Sequence, residues 1–298
     1  MSAKSVKSIN ETKINKANMP EYEISPEAEE LFQVNLDLLE KFKSICKKHS
    51  ITYYASSGTL LGAVRHGGFI PWDDDMDLFL MWDDYKKFLE VAPKECSYPY
   101  FFQSHLTEDE GEASASRLRR SDTTGYTQWE NNNITDVNYN KGIFIDIFPL
   151  FYVPDTKIMR YIQKKRVTFW WKCMRGCNAN RQRNKGLAVN KDYEKYEKLY
   201  KIVKPFVSDK EIKIKYLNAC AMAKKPKKEI GATSSRCHMP KLMWNSEWFE
   251  KTIELKFENT TISCPLDYDK ILRKQYGDYM IPVMNGSSHQ MVIVDTKK

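Results

Sequence analysis

Four aspartates within five residues constrain this chain more than any other feature, and they stand directly before an apolar segment. The four are Asp73, Asp74, Asp75 and Asp77. Alternate side chains of an extended strand share one face, so the pattern predicts three carboxylates side by side. Such crowding is unfavourable unless a cation binds there, and Mg²⁺ takes carboxylate oxygens together with substrate phosphates. The run therefore favours a magnesium site over the alternative, an acidic turn in solvent.

A glycine-containing turn lies just upstream of these aspartates. Gly58 and Thr59 lead into a helix-like segment that reaches Arg65 and His66. The start of a helix offers unpaired backbone N–H groups and the positive end of its dipole to an anion. We therefore expect a phosphate group near Gly58 and Thr59.

One further carboxylate stands far along the chain. Asp146 is the only charged residue of segment 142–150, whose apolar run predicts a strand buried on both faces. A charge in such a place is costly unless it is hydrogen-bonded within the core or binds a metal. A glycine turn, an Asp-x-Asp strand and a distant strand aspartate together indicate phosphoryl or nucleotidyl transfer on one or two metal ions.

The same residues carry a resemblance to a known family. Residues 58–77 resemble the signature of the LicD-type phosphocholine transferases, also called cholinephosphate transferases. These proteins are related to the fukutin group and belong to the nucleotidyltransferase superfamily. Residues 142–150 resemble the second conserved block of the family, and residues 276–280 resemble its C-terminal block. The likeness is specific in the first block and weak in the middle third of the chain.

The resemblance implies an Mg²⁺-dependent transfer of phosphocholine from CDP-choline to a hydroxyl of a cell-surface glycan precursor, with release of CMP. The acceptor would be a glycan or lipid-linked oligosaccharide of the teichoic acid or lipopolysaccharide type. By this match Asp75 and Asp77 would hold Mg²⁺ and Asp146 would complete the metal site. As a hypothesis, Asp146 also takes the proton from the attacking hydroxyl.

The remaining site residues follow from the same match. Gly58 and Thr59 would contact the donor phosphates, while Arg65 and His66 would neutralise charge on the departing CMP. Ribitol phosphate or ethanolamine phosphate as the CDP-linked cargo, and transfer of a nucleotidyl group, are alternatives within the same fold.

The net charge of +8 is confined to one segment. Residues 156–191 contain eleven Lys or Arg and no acidic residue, whereas the rest of the chain has 36 basic and 39 acidic residues. Large apolar side chains recur within it at helical spacing, which predicts an amphipathic helix: Ile158, Tyr161, Ile162 and Phe169. Such a helix is either simply solvated, or it contacts a phosphate-bearing acceptor or an anionic membrane face.

A nucleic-acid-binding module is the remaining interpretation of this charge. It explains neither the acidic run nor Asp146, and we expect no nucleic-acid partner. Salt-dependent binding to DNA would favour that module.

Cysteine usage bears on the compartment. Seven cysteines, an odd number, are scattered along the chain, which predicts reduced thiols and a cytoplasmic protein. The polar N-terminus has no signal-peptide pattern. Cys173 and Cys177 would share one helix face, and a zinc site with Cys237 is an alternative to idle thiols.

The order of the predicted elements indicates the α+β class, with a nucleotidyltransferase-like mixed β-sheet core flanked by helices and a helical C-terminal half. We divide the chain into four segments. These are a disordered tail (1–24), a catalytic core (25–155), a basic helical acceptor-binding region (156–250), and a hairpin and helix that complete the core (251–298).

Overall fold

A mixed β-sheet with helices packed against it organises the chain, which confirms the α+β class. The computed structural model describes residues 23–108, 114–134, 138–224, 227–232, 242–283 and 291–296. The predicted disordered tail thus lies almost entirely outside the described residues. The elements are α1 (Pro26–Lys48), β1 (Tyr54–Ala55), α2 (Ser57–Arg65), β2 (Asp77–Met81), α3 (Trp82–Glu95), β3 (Tyr100–Gln103), β4 (Ser116–Arg120), β5 (Thr124–Thr127), α4 (Gln128–Asn133), β6 (Ile143–Val153), α5 (Lys157–Asn184), α6 (Lys191–Glu194), α7 (Glu197–Val203), α8 (Asp209–Cys220), β7 (Glu229–Ala232), β8 (Met243–Asn245), β9 (Thr252–Phe257), β10 (Thr260–Pro265), α9 (Tyr268–Tyr276) and β11 (Met291–Asp295).

The long strand β6 lies at the centre of the main sheet. It pairs in parallel with β2 on one side and antiparallel with β4 on the other, and β1 and β3 extend these two sides. The last residues of β6 also pair with β7, which in turn pairs with β8. Strands β9 and β10 form the predicted hairpin, and β5 pairs with β11.

Helix α1 begins at a capping residue. The hydroxyl of Ser25 accepts a hydrogen bond of 3.2 Å from the backbone N–H of Ala28, and Pro26 occupies the first turn. Its apolar stripe, which includes the fully buried Leu38 and Phe42, packs against the sheet. None of the helices in the described ranges is both long enough and apolar enough to cross a membrane.

The C-terminal half departs from its prediction in one respect. Helix α5 continues through Gly176 and ends at Asn184. The segment 156–250 is not helical throughout, because β7 and β8 join the main sheet and bury Ile230 and Trp244. The segment boundaries proposed from the sequence stay a prediction.

At Gly176, helix α5 lies against the segment that begins α7. A Cβ atom at this position would overlap the carbonyl oxygen of Tyr196 and lie 2.8 Å from the Cβ of Tyr200. Both neighbours are backbone or backbone-attached atoms, which cannot move aside without shifting α7.

We therefore expect Gly176→Ala to lower the free energy of unfolding by about 1–3 kcal/mol, even though Ala favours helix. Urea denaturation followed by circular dichroism measures this change. Gly231→Ala is the matched control, because the atom nearest to a Cβ there, Cγ of Met243, lies 3.5 Å away. Equal stability of the two variants would contradict the close approach at Gly176.

Candidate active site

Three charged side chains form a row across neighbouring strands of the main sheet. Asp77 of β2 is the register partner of Asp146 in β6, and Asp146 is the register partner of Arg117 in β4. Partners in register point to the same face of a sheet, so the three groups are adjacent. The Arg117 Nε donates a hydrogen bond of 2.8 Å to Oδ1 of Asp146.

The acidic run, residues 73–77, follows a turn and leads into this row of charged side chains at Asp77. Strand β2 begins at Asp77, so of Asp73, Asp75 and Asp77 only Asp77 lies within a strand. The side chains of these three aspartates nevertheless face one side, as alternate residues of an extended segment do. These three aspartates line one cavity, and Asp74 is not among the described residues that line it.

Burial and mutual repulsion act strongly on these carboxyl groups. Burial, followed by the charges of Asp77 and Asp73, raises the pKa of Asp75 to about 10. Burial and the charge of Asp146 likewise raise the pKa of Asp77 well above its usual range. A bound divalent cation would favour the ionised forms of both groups, because opposite charge stabilises a buried carboxylate.

Carboxylate oxygens at this place are suitable ligands for Mg²⁺, which commonly takes one or two carboxylates plus substrate phosphates. Within the ranges that the structure describes, no three His, Cys, Asp or Glu side chains converge closely enough to hold a metal by themselves. Asp75 and Asp77 are the two residues of this set whose carboxyl groups gain most from a cation. Asp146 is already hydrogen-bonded to Arg117.

The start of helix α2 lies against the acidic run. Gly58 belongs to the first turn of the helix, and a Cβ there would overlap a carboxylate oxygen of Asp73. The residue must be small for the two segments to approach this closely. Gly58 lines the cavity, as predicted for a residue near a donor phosphate.

Thr59 occupies a different position from the one predicted. Its hydroxyl accepts a hydrogen bond of 2.8 Å from the backbone N–H of Asp77, and only 6% of the residue is exposed. It is not among the described residues that line the cavity. Thr59 thus holds the first residue of β2 against α2, and this bond sets the position of the Asp77 carboxylate.

Arg65 and His66 differ in what they can contribute. Arg65 lines the cavity and its Nη1 donates a hydrogen bond of 2.8 Å to the carbonyl oxygen of Tyr279. His66 lies outside the described lining, with its ring edge against Trp72. Burial and the neighbouring Arg65 charge lower the pKa of His66 to about 4, so its ring is neutral at pH 7. The prediction that His66 neutralises charge on the departing CMP is therefore not supported by its surroundings.

A buried acid that the sequence reasoning missed supports the charged row. Glu130, at 0% exposure, accepts hydrogen bonds from Arg117 at 2.6 Å and from Arg119, and a further one of 3.0 Å from the Tyr139 hydroxyl. Burial alone would raise the pKa of Glu130, but Arg119 and Arg117 hold it at about 2. The signal that could have indicated this site is the alternation of Arg117 and Arg119 along a strand, which places both guanidinium groups on one face.

The cavity next to these groups has a volume of about 1100 Å³. One wall consists of the aspartates and the first turn of α2. The lining also includes residues of the second half of α5, residues of α8, and Tyr276 of α9. Cationic and aromatic side chains of α5 and α8 in this lining are Trp171, Arg175, Arg181, Lys213 and Tyr216.

Tyr276 is close to the acidic run. Burial, followed by the charges of Asp77 and Asp73, raises the pKa of its hydroxyl. Its hydroxyl accepts a hydrogen bond of 3.2 Å from the Gln275 side chain, whose amide lies 3.3 Å from the Ser57 hydroxyl. The end of α9 is thereby connected to the start of α2, although the two are more than two hundred residues apart in sequence.

The cysteines of α5 are buried thiols. Cys173 and Cys177 do share a helix face, and burial raises the pKa of each to about 11, which disfavours a thiolate ligand. Cys237, the further zinc ligand considered, lies outside the described residues. The six cysteines within the described ranges form no disulfide with one another.

A mixed sheet that carries paired aspartates beside a helix start defines a transferase site for phosphoryl or nucleotidyl groups. Residues 50–173 match the family described as LicD/FKTN/FKRP, nucleotidyltransferase domain. Residues 50–173, which include the aspartates and Arg117, thus resemble the nucleotidyltransferase domain of LicD-type proteins.

Curated relatives agree with this assignment. The chain is 29% identical over 258 residues to the lipopolysaccharide cholinephosphotransferase LicD of Haemophilus influenzae, covering 83% of this chain and 89% of the relative. It is also 40% identical over 82 residues to the uncharacterized protein RT0683 of Rickettsia typhi, which covers 27% of this chain and 25% of that protein.

Glu130→Gln should lower the free energy of unfolding at pH 7 by about 3–5 kcal/mol, because two buried guanidinium groups lose their counter-charge. The folded-state pKa of Glu130, about 2, lies below the ordinary value of 4.5 for a glutamate. Its stabilisation is thus present above pH 4.5 and is lost as the pH falls towards 2. Wild type should therefore lose more stability than Glu130→Gln over that interval.

Urea denaturation at a series of pH values measures both effects. Glu90→Gln, at an exposed position of α3, is the matched control and should change stability by less than about 0.5 kcal/mol. Parallel pH curves for wild type and Glu130→Gln would contradict the ion-pair assignment.

Proposed function

We propose that this chain transfers phosphocholine from CDP-choline to a hydroxyl of a cell-surface glycan precursor and releases CMP. The proposal includes Mg²⁺ as cofactor and a cytoplasmic site of action. The single observation that supports it most is the cavity in which Asp75, Asp77 and Asp146 lie beside the start of α2. Similarity to the lipopolysaccharide cholinephosphotransferase of Haemophilus influenzae favours a lipopolysaccharide-type acceptor, and a teichoic acid precursor is the alternative.

Each wall of the cavity has a role in this proposal. Asp75 and Asp77 would hold Mg²⁺, which supplies electrostatic stabilisation of the phosphate oxygens during transfer. Backbone N–H groups at Gly58 would bind a donor phosphate, because the first turn of a helix attracts anions. Arg65, which lines the cavity, would stabilise charge on the departing CMP.

Asp146 is suited to accept the proton of the attacking hydroxyl. Arg117 binds its Oδ1 and thereby fixes the orientation of the carboxylate towards the cavity that Asp146 lines. A general base must lie within hydrogen-bond reach of the proton that it accepts, and a fixed side chain meets this requirement better than a mobile one. Arg117 itself is a positioning residue, since it acts through Asp146.

Aromatic side chains support a quaternary ammonium as cargo. Trp72, Trp129 and Trp171 line the cavity, and each aromatic face can contribute about 0.5–2 kcal/mol to binding such a cation. Tyr53 and Tyr54, aromatics near the first motif, are buried in the core instead, where they bond Ser263 and Phe249. The aromatic lining favours choline over ribitol as the cargo.

Asp75→Asn should abolish phosphocholine transfer and leave the fold intact, because the variant removes a metal-binding oxygen and one source of repulsion. The measurement is CMP formation from CDP-choline with Mg²⁺ and acceptor, alongside a thermal denaturation curve. Asp74→Asn is the matched control: it removes the same charge one residue away, outside the described lining, and should retain most activity. An active Asp75→Asn enzyme would overturn the metal assignment.

The identity of the cargo is tested by donor choice. The protein is incubated with Mg²⁺ and with CDP-choline, CDP-ethanolamine, CDP-ribitol or ATP, and the released nucleoside monophosphate is quantified. We expect CMP release to be fastest from CDP-choline. Faster CMP release from CDP-ethanolamine or CDP-ribitol would show that the transferred group is not phosphocholine, while the type of reaction stays as proposed. AMP release from ATP alone would support nucleotidyl transfer.

A further inference from the structure

The first half of helix α5 presents an apolar stripe to solvent. Ile158 and Tyr161 are 74% and 60% exposed, and Ile162 and Phe169 are each 39% exposed. These positions recur at helical spacing and therefore lie along one side of the helix. The opposite side, which includes the fully buried Val167, packs against the end of α8. The apolar pattern of this helix thus faces outward.

Cationic side chains surround the stripe. Lys157, Lys164, Lys165 and Arg166 are all exposed. Among the residues that the structure describes, none of the four forms an ion pair with a carboxylate. The ammonium group of Lys165 instead lies 5.2 Å from the ring centroid of Tyr161.

Two acidic groups beside this half of the helix are already paired. Asp155, just before the helix, forms an ion pair of 3.0 Å with Lys227. Glu229 of β7 is bound by Arg160. The surface around the stripe therefore has an excess of positive charge next to exposed apolar groups.

We infer that the exposed side of α5 between Lys157 and Phe169 binds the surface of a membrane that contains anionic lipids. Helices that combine a solvent-facing apolar side with flanking Lys and Arg lie in the headgroup region, with the apolar groups inserted and the cations at the phosphates. This inference goes beyond the proposed function, because it concerns where the protein resides and not the group that it transfers.

Two other occupants fit the surface less well. A second copy of the chain would bring two cationic surfaces of the same sign together, and repulsion between them disfavours self-association. A nucleic acid would use the cations, but contact with phosphates gives no benefit to exposed Ile158 and Ile162. An anionic bilayer uses both properties of the surface.

Sedimentation with lipid vesicles tests the inference on the full-length protein. We expect the protein to bind vesicles of phosphatidylcholine and phosphatidylglycerol, to bind pure phosphatidylcholine vesicles much more weakly, and to be released by high salt. Lys164→Glu with Lys165→Glu should weaken binding by about 100-fold, since each reversal removes one attraction and adds one repulsion. Ile158→Ser with Ile162→Ser should also weaken binding while leaving the charge unchanged.

A control with the same change of net charge shows whether vesicle binding depends on α5 or only on the total charge of the protein. Lys87→Glu with Lys94→Glu makes the same change of net charge on the exposed side of α3 and should retain vesicle binding. Equal loss in both double variants, or salt-sensitive binding to DNA that displaces the vesicles, would overturn the inference. Concentration-dependent dimerisation that disappears in Ile158→Ser with Ile162→Ser would overturn it in favour of a contact between copies.

Release of CMP from soluble donor provides an independent readout. None of the four substituted residues lines the cavity, so donor turnover in detergent-free buffer should be unchanged in the Lys164, Lys165 variant. If the unmodified protein releases CMP but does not bind vesicles, the membrane inference is wrong and the proposed function is unaffected. Loss of donor turnover in that variant would instead show that this half of α5 belongs to the catalytic site.

Discussion

The ion pair between Arg117 and two carboxylates is the interaction around which the catalytic half of the molecule is arranged. Arg117 binds Asp146 on the neighbouring strand and Glu130 on helix α4, and its guanidinium carbon lies 3.9 Å from the centroid of the Phe144 ring. Burial alone would lower the pKa of Arg117, but the two carboxylates raise it above its usual range. A mostly buried cation of this kind is tolerated only while both partners remain. It therefore connects the helix that carries Glu130 to the strand that carries the candidate base.

Charge compensation is uneven across the row. Asp146 and Glu130 have their counter-charge within the protein, whereas Asp75 and Asp77 face mainly other acids and have raised pKa values. The negative charge of one half of the site, Asp146 and Glu130, is thus balanced by the protein itself. The negative charge of the other half, Asp75 and Asp77, is not. A metal-bound phosphate donor would complete the second half, which is why the proposed cofactor and substrate depend on each other at this position.

Local patterns predicted much of this arrangement. The capping residue of α1, the buried strand β6 and the β9–β10 hairpin follow from short-range signals that the tertiary structure did not override. The cavity also contains Asp75, Asp77 and Asp146, as expected. Their spacing was informative because an alternating pattern of buried acids has few explanations other than a bound cation.

The failures came from contacts that no local pattern contains. Thr59 was expected to bind phosphate, but its hydroxyl accepts a hydrogen bond from a backbone group eighteen residues away. Glu130 lies on a helix of six residues, too short for a periodic signal, and its role depends on two arginines from β4. Strands β7 and β8 have four and three residues and are strands because the sheet edge is available to them.

Helix α5 separates two surfaces. Its exposed stripe lies on one side, while Trp171, Met174 and Asn178, which line the cavity, lie on the opposite side by helical periodicity. An α-helix with its side chains is about 10 Å thick. A protein that binds a bilayer through this stripe would therefore keep its cavity on the side of α5 that faces away from the membrane interior. The thickness of the helix would separate the cavity from the apolar side chains that enter the headgroup region.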